Sequence, residues 1–208
     1  MTGEHRVQSE GPSGADASKV VAWVRGRWTP MDKIEAHRKG IRHKAVSVFV
    51  IRGTELLLQR RALDKYHSPG LWANACCTHP FLNETSAACA RRRLKQELGI
   101  EGLTLTYRHS LEYRADVGGG MIEHELVDVF VADWTPDGRI DPNPDEVAEV
   151  AWVELNDVLA ELEASPKKYA PWLGIYLGQH EKDILGVAAA TACKDRNIAR
   201  PFDPAPKQ

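Results

Sequence analysis

Trp72-Ala73-Asn74-Ala75-Cys76-Cys77-Thr78-His79-Pro80-Phe81-Leu82-Asn83-Glu84 leads into a basic run that ends Arg91-Arg92-Arg93-Leu94-Lys95-Gln96-Glu97-Leu98-Gly99-Ile100, and the rest of the 208-residue chain is organised around it. Leu71 to Cys77 is expected to be extended, and residues 85–98 to be a helix stopped by Gly99. Side chains at i and i+2 of an extended segment share a face, so Cys77 and His79 point one way and Cys76 the other. A thiol and a metal-capable imidazole therefore sit on one wall.

Outward from that run, the composition is that of a globular chain with one domain, 43% hydrophobic and 27% charged. The net charge of -2 gives no global basic field, so nucleic acid is not an expected partner and any anion must be met by a local cluster. The four cysteines, Cys76, Cys77, Cys89 and Cys193, form no disulfide framework, which fits a reducing cytoplasm. No run approaches the roughly 20 apolar residues that span a bilayer, so no membrane partner is expected. Residues 1–18 read as a disordered leader, 19–185 as a single domain, and 186–208 as a partly disordered C-terminal extension.

Along the chain, Asp32 is placed to cap a short helix carrying Lys33 and His37 that Gly40 ends. Lys44 to Ile51 and Glu55 to Arg60 read as a hairpin. Residues 103–115 and 121–133 are two further strands joined by Gly118-Gly119-Gly120, and the second carries Glu123 and Glu125 on one face. Two carboxylates so placed ask for a cation or for solvent. A loop at 141–145, a strand at 147–153 and a helix at 155–163 follow, and Pro166 is expected to open a last helix carrying Trp172 and running towards Leu185. Arg61 and Lys65, four apart in a basic segment, are candidates for facing an anion.

From Glu84, seven residues intervene before Arg92, and Glu97, Gly99 and Ile100 follow, a spacing that resembles the Nudix box G-x5-E-x7-R-E-U-x-E-E-x-G-U. Thr78 stands where the box opens with Gly, while Arg93 and Gln96 replace two of its acidic positions. A hydrolase of that kind gathers several carboxylates around its cations, and here only Glu97 is left on the helix. A whole set of shorter motifs in order, Ala36-His37, Arg60-Arg61-Ala62-Leu63-x-Lys65, Pro69-Gly70-Leu71-Trp72 through Cys77-x-His79-Pro80, Tyr113-Arg114-Ala115, Glu123-x-Glu125 and Pro171-Trp172, resembles type I isopentenyl-diphosphate isomerase, a branch of the Nudix superfamily.

That resemblance implies an α+β Nudix fold, an α/β/α sandwich-like mixed sheet flanked by helices with extra N-terminal elements. It also implies an isomerase of isoprenoid biosynthesis that converts isopentenyl diphosphate to dimethylallyl diphosphate by an allylic proton shift through a carbocation. It further implies a zinc, manganese or magnesium ion on His37, His43, His79, Glu123 and Glu125, and a magnesium ion shared by Glu97 and the diphosphate. Lys33, Arg61, Lys65 and Arg93 would grip that diphosphate. Cys77 and Glu125 would be the opposed acid and base, Tyr113 would hydrogen-bond Glu125, and Trp172 would offer its ring to the cation. A thiol near its ordinary pKa of about 8.5 can serve either way at neutral pH. The expected assembly is a monomer or homodimer. A Nudix pyrophosphohydrolase and a metal-stabilised diphosphate-binding module are the competing readings. The family has Gly before its metal-binding His and before its box Glu, where this chain has Thr78 and Asn83.

Overall fold

The structure, a computed structural model, describes residues 16–135 and 137–186. The leader up to residue 15, Cys193 and the extension beyond residue 186 lie outside them. In chain order the elements are β1 (Lys19–Val24), β2 (Arg27–Asp32), α1 (Lys33–Lys39), β3 (His43–Arg52), β4 (Glu55–Arg61), β5 (Trp72–Asn74), β6 (Cys76–Thr78), α2 (Ser86–Leu98), β7 (Thr106–Gly118), β8 (Met121–Asp133), β9 (Val147–Glu154), α3 (Leu155–Ala164), α4 (Pro171–Gln179) and α5 (Glu181–Leu185).

β3 is the spine of the mixed sheet. All of it but Arg52 pairs in parallel with β8, from His43 opposite Glu125 to Ile51 opposite Asp133, while β6 pairs antiparallel with it, Cys77 opposite Ser47. β7 pairs antiparallel with β8 beyond, and β1 meets β3 at a single position, Ala22 opposite His43. The expected hairpin is only half right. β3 and β4 pair at just two positions next to their turn, Ile51 with Leu56 and Arg52 with Glu55. β4 then leaves to pair with β5 and β9. Past those two pairs β6 takes the inner edge of β3 and β5 that of β4, so the segment 72–78 parts the two strands.

The strict alternation of β3 sorts the two faces. Val46, Val48 and Val50 pack beneath α2 with Cys76, Cys89, Leu94 and Leu98. Ala45 and Phe49 pack on the opposite face with Val127, Val129, Trp172, Tyr176 and Leu177, under α3, α4 and α5. Helices therefore cover both faces of the sheet, the α/β/α arrangement expected. His43 and Ser47 share the parity of Ala45 and Phe49, as Glu123 and Glu125 share that of Val127. The polar site is thus the continuation, towards one end, of an apolar core face.

The caps follow the sequence. The Asp32 carboxylate accepts from the Glu35 amide at 2.8 Å, and Gly40 closes α1 at φ 58°. The Thr85 hydroxyl accepts from the Ala88 amide at 3.2 Å and Gly99 closes α2 at φ 65°, a capping contact of about 1 kcal/mol. Pro166 opens only a 3-10 turn, Pro166–Lys168, and the last helix starts instead at Pro171. His180 interrupts it before α5. Asn83 takes a left-handed φ of 66°, and Thr78 is not among the positive-φ residues. Only one of the two missing glycines therefore stood at a position that needs glycine-like freedom, and Asn tolerates that position.

Candidate active site

Gly40 turns the chain so sharply after α1 that His37, on its last turn, and His43, first in β3, bring their rings to 4.7 Å between centroids. His79, just past β6, approaches both, at 5.4 Å from His37 and 5.0 Å from His43. Glu125 lies beside them because β8 pairs it with His43. One ligand atom from each of His37, His43, His79 and Glu125 falls within 4.8 Å of the others. Glu123 does not join that group. It sits with His37 and His67 in an adjoining one, its Oε1 3.5 Å from His67 Nε2.

The hydrogen bonds test whether these residues suit a cation. His37 Nδ1 donates to the Lys33 carbonyl at 2.7 Å and His43 Nδ1 to the Ile41 carbonyl at 2.7 Å. Each Nε2 is thereby left with a lone pair facing inward, buried and without a hydrogen-bond partner among the described residues. His43 Nε2 stands 3.4 Å from a carboxylate oxygen, Glu125 Oε1, a gap that either a proton on the ring or a cation fills. Two lone pairs turned to one point inside a protein call for a positive charge between them. Burial, then the neighbouring His43, pushes the His37 imidazole down to about 4, and burial pushes that of His79 down to about 3, so both are neutral, as ligands must be. The donor set fits a divalent metal ion.

The Tyr113 hydroxyl lies 2.7 Å from Glu123 and 2.8 Å from Glu125, and its single proton serves one carboxylate at a time. Burial and then the Glu125 charge push the Glu123 carboxyl well up. Burial also works to raise Glu125, but His43 and His79 outweigh it and hold that carboxyl well below the usual range. Without a cation the pair keeps one proton, on Glu123.

Where β3 and β4 part, a cleft opens. Its lining brings Cys77, His79, Glu123, Glu125 and Trp172 together with Lys33, Arg61, Lys65, Arg93, Glu97 and Glu146. All four basic residues named from the sequence reach it. Lys33 is pulled down from its ordinary pKa by burial and then by the charges of Lys65 and Arg93, the mark of cations crowded without enough anion. Glu146 partly answers them, 2.6 Å from Lys65 and 3.2 Å from Arg93. Arg61 is anchored on the Ser68 and His67 carbonyls at 3.2 and 3.1 Å, and its guanidinium stands 5.2 Å from the centre of the Trp172 ring.

The thiol side departs from the ordinary value taken for Cys77. Burial and then Glu125 push the Cys77 thiol well up, so it is protonated at neutral pH, although Ser47 at 3.4 Å and the Tyr176 hydroxyl at 3.7 Å work the other way. Cys76 turns to the other face and lies 3.6 Å from Glu97. Glu97 is already engaged, by Gln59 at 2.9 Å and by Arg93 at 2.7 Å. Of the Nudix-like spacing, Glu84 and Arg92 make a two-pronged ion pair at 2.7 and 2.8 Å that ties the loop after β6 to α2.

Three residues at the site escaped the sequence reading. Tyr176 lies four after Trp172, on the same helical face, and that spacing was the available signal. His67 follows Lys65 by two in the basic segment. Glu146 sits among loop carboxylates with nothing to single it out.

Residues 41–173 match the NUDIX domain family. The chain is 56% identical over 172 residues, 83% of its own length and 98% of the relative's, to the isopentenyl-diphosphate Delta-isomerase of Dinoroseobacter shibae. It belongs to that isomerase family. The enzyme of the same name from Ruegeria pomeroyi is also 56% identical, over 80% of this chain and 93% of its own. Among solved structures, the MutT NUDIX hydrolase from Burkholderia pseudomallei superposes with a TM-score of 0.51 at 20% identity, over 67% of this chain and 98% of that one, a likeness of fold alone. Family membership and the cleft agree in kind: the cleft gathers four basic residues suited to an anion together with a thiol and carboxyls. No helix among the described residues is long and apolar enough to cross a membrane.

Proposed function

We infer that this chain isomerises isopentenyl diphosphate to dimethylallyl diphosphate, and that the cleft between β3 and β4 is where it does so. The observation that carries the residue assignment is the pairing on β3: Ser47 brings the Cys77 thiol from β6, and His43 brings Glu125 from β8. One strand so fixes an acid–base group on either side of the reacting carbons.

Lys33, Arg61, Lys65 and Arg93 bind the diphosphate and orient the alkene between Cys77 and Glu125. One of these two groups adds a proton to the terminal alkene carbon and the other removes one from C2, so the substrate gains and loses one proton and no redox partner is needed. The Tyr113 hydroxyl bridges the two carboxyls and moves protons between them. The Trp172 ring faces the tertiary carbocation and contributes about 0.5 to 2 kcal/mol. His37, His43, His79 and Glu125, with Glu123 adjoining, would hold a divalent ion, whose positive charge would offset the repulsion between the two carboxylates. For Glu97 to share a magnesium ion with the diphosphate, Arg93 must turn from Glu97 to the phosphate oxygens, a movement within reach of its long side chain. A hydrolase reading lacks support at that position, because Glu97 faces an arginine where a metal cluster needs further carboxylates.

The test is incubation with isopentenyl diphosphate and magnesium in deuterated water, followed by NMR. Deuterium in a methyl group of dimethylallyl diphosphate is the expected result. Release of phosphate, or product free of deuterium, overturns the mechanism.

A further inference from the structure

Away from the cleft, at the far end of the β7–α4 contact, lies a cluster for which the isomerisation has no use. The alternation of β7 puts His109 on the same face as Leu111 and Tyr113, the face that α4 covers. His180 stands at the joint between α4 and α5, its amide bonded to the Tyr176 carbonyl at 3.0 Å, and Asp183 is three residues on in α5. The rings of His109 and His180 are 5.6 Å apart, and His180 Nδ1 is 3.9 Å from Asp183 Oδ2. One ligand atom from each of the three lies within 4.8 Å of the other two.

We propose that His109, His180 and Asp183 form a second binding site for a divalent transition metal ion, zinc in the first instance, which fastens the α4–α5 joint to β7. Metal–ligand bonds of about 2.0 to 2.1 Å place tetrahedral ligand atoms about 3.4 Å apart. The three atoms need to close by no more than about 1.5 Å, within the reach of side-chain rotation. Two imidazoles and one carboxylate suit zinc, nickel or copper and not magnesium or calcium, which take oxygen. The exposed side, where Asp183 lies, leaves room for a water as the fourth ligand. The ion would act on α4. That helix carries Trp172 and Tyr176 into the core, and Tyr176 touches both Tyr113, at 5.8 Å, and Cys77. Fixing His180 to β7 fixes the C-terminal end of the helix that positions the hydroxyl beside the thiol.

The experiment uses the full chain with its His/Glu centre saturated with zinc, titrated calorimetrically with further zinc, in the wild type and in His109→Gln, His180→Asn and Asp183→Asn. The expected result is one further equivalent in the wild type, weakened about tenfold or more in each variant with the first equivalent intact. At a free zinc concentration 100 times its Kd, the second ion raises the wild-type Tm by about 5–10 °C. Asp183 is exposed, so Asp183→Asn decides the matter if a histidine variant fails to fold. Equal further uptake in wild type and variants, or no further uptake below millimolar zinc, overturns the proposal.

Discussion

Replacing Glu123 by Gln is expected to stabilise the metal-free protein and to reduce the further stabilisation that metal brings. The two carboxyls lie 2.7 and 2.8 Å from the one Tyr113 hydroxyl, so their near oxygens are at most about 5.5 Å apart, the sum of those contacts. At an effective dielectric constant of about 20, two full charges at that spacing repel by about 3 kcal/mol. Holding a proton at pH 7 on a carboxyl whose unfolded pKa is about 4.3 costs a similar amount, at about 1.4 kcal/mol per unit. The wild-type fold carries one cost or the other until a cation arrives. A glutamine removes the charge, keeps one oxygen to accept from Tyr113 and turns its NH2 to His67. Metal-free Glu123→Gln should therefore gain about 1 to 3 kcal/mol, which raises Tm by about 2 to 10 °C for a chain of this length. With the carboxylate gone from beside the His/Glu centre, metal affinity should fall about 10- to 100-fold. Differential scanning calorimetry after chelation, repeated after adding back zinc, manganese or magnesium, reads both signs. A Tm that drops equally with and without metal would mean that Glu123 serves the fold only as a hydrogen-bond acceptor, and the account of a strained pair awaiting a cation would be wrong.

Other outcomes follow from the same geometry. Cys77→Ser should lower kcat by about 10²- to 10⁴-fold while the circular dichroism and metal content stay those of the wild type; near-normal turnover would remove Cys77 from the chemistry. Tyr176→Phe keeps the ring packed on Phe49 and Tyr113 but loses the hydroxyl 3.7 Å from Cys77. Since that hydroxyl lowers the thiol's pKa, iodoacetamide should alkylate Cys77 only at higher pH in this variant, and kcat should fall about 2- to 12-fold. An unchanged alkylation profile counts against the contact. Metal-free protein should be most stable near pH 6.5. His37, His67 and His79, pushed down to about 4, about 2 and about 3, take up protons on unfolding below that pH, and stability falls with acid. Glu123, pushed up, keeps in the fold a proton that the unfolded chain releases above about pH 4.5, so stability also falls towards alkali. Three histidines against one glutamate give an acid limb of up to about 3 kcal/mol per pH unit, and urea titrations at several pH values measure it. Saturating metal should flatten the alkaline limb, and a monotonic profile without metal contradicts the signs assigned.

The sequence foretold the residues that regular geometry places and passed over those that packing places. Cys77 with His79, and Glu123 with Glu125, were legible because a strand sends every second side chain to one face, and His37 because Asp32 and Gly40 bracket its helix. Tyr176, His67 and Glu146 come to the site from a helix and two loops, whose approach depends on how α4 and the segment after β4 dock. The hairpin is the instructive miss. Two adjacent strands and a tight Arg52-Gly53-Thr54 turn favour full antiparallel pairing on local grounds, and local grounds contain nothing about β5 and β6. In the fold β6 takes the edge of β3, and β5 the edge of β4, that a closed hairpin would join, while β8 and β9 hold the outer edges of the same two strands. The two pairs that β3 and β4 retain are what the turn alone can enforce. Had the hairpin closed, Gln59 and Arg61 would lie against β3 and the diphosphate end of the cleft would be filled by backbone. The active site therefore exists because a local preference gives way to two longer-range ones, and a substitution that lengthens the β3–β4 ladder should reduce substrate binding before it touches the acid–base pair.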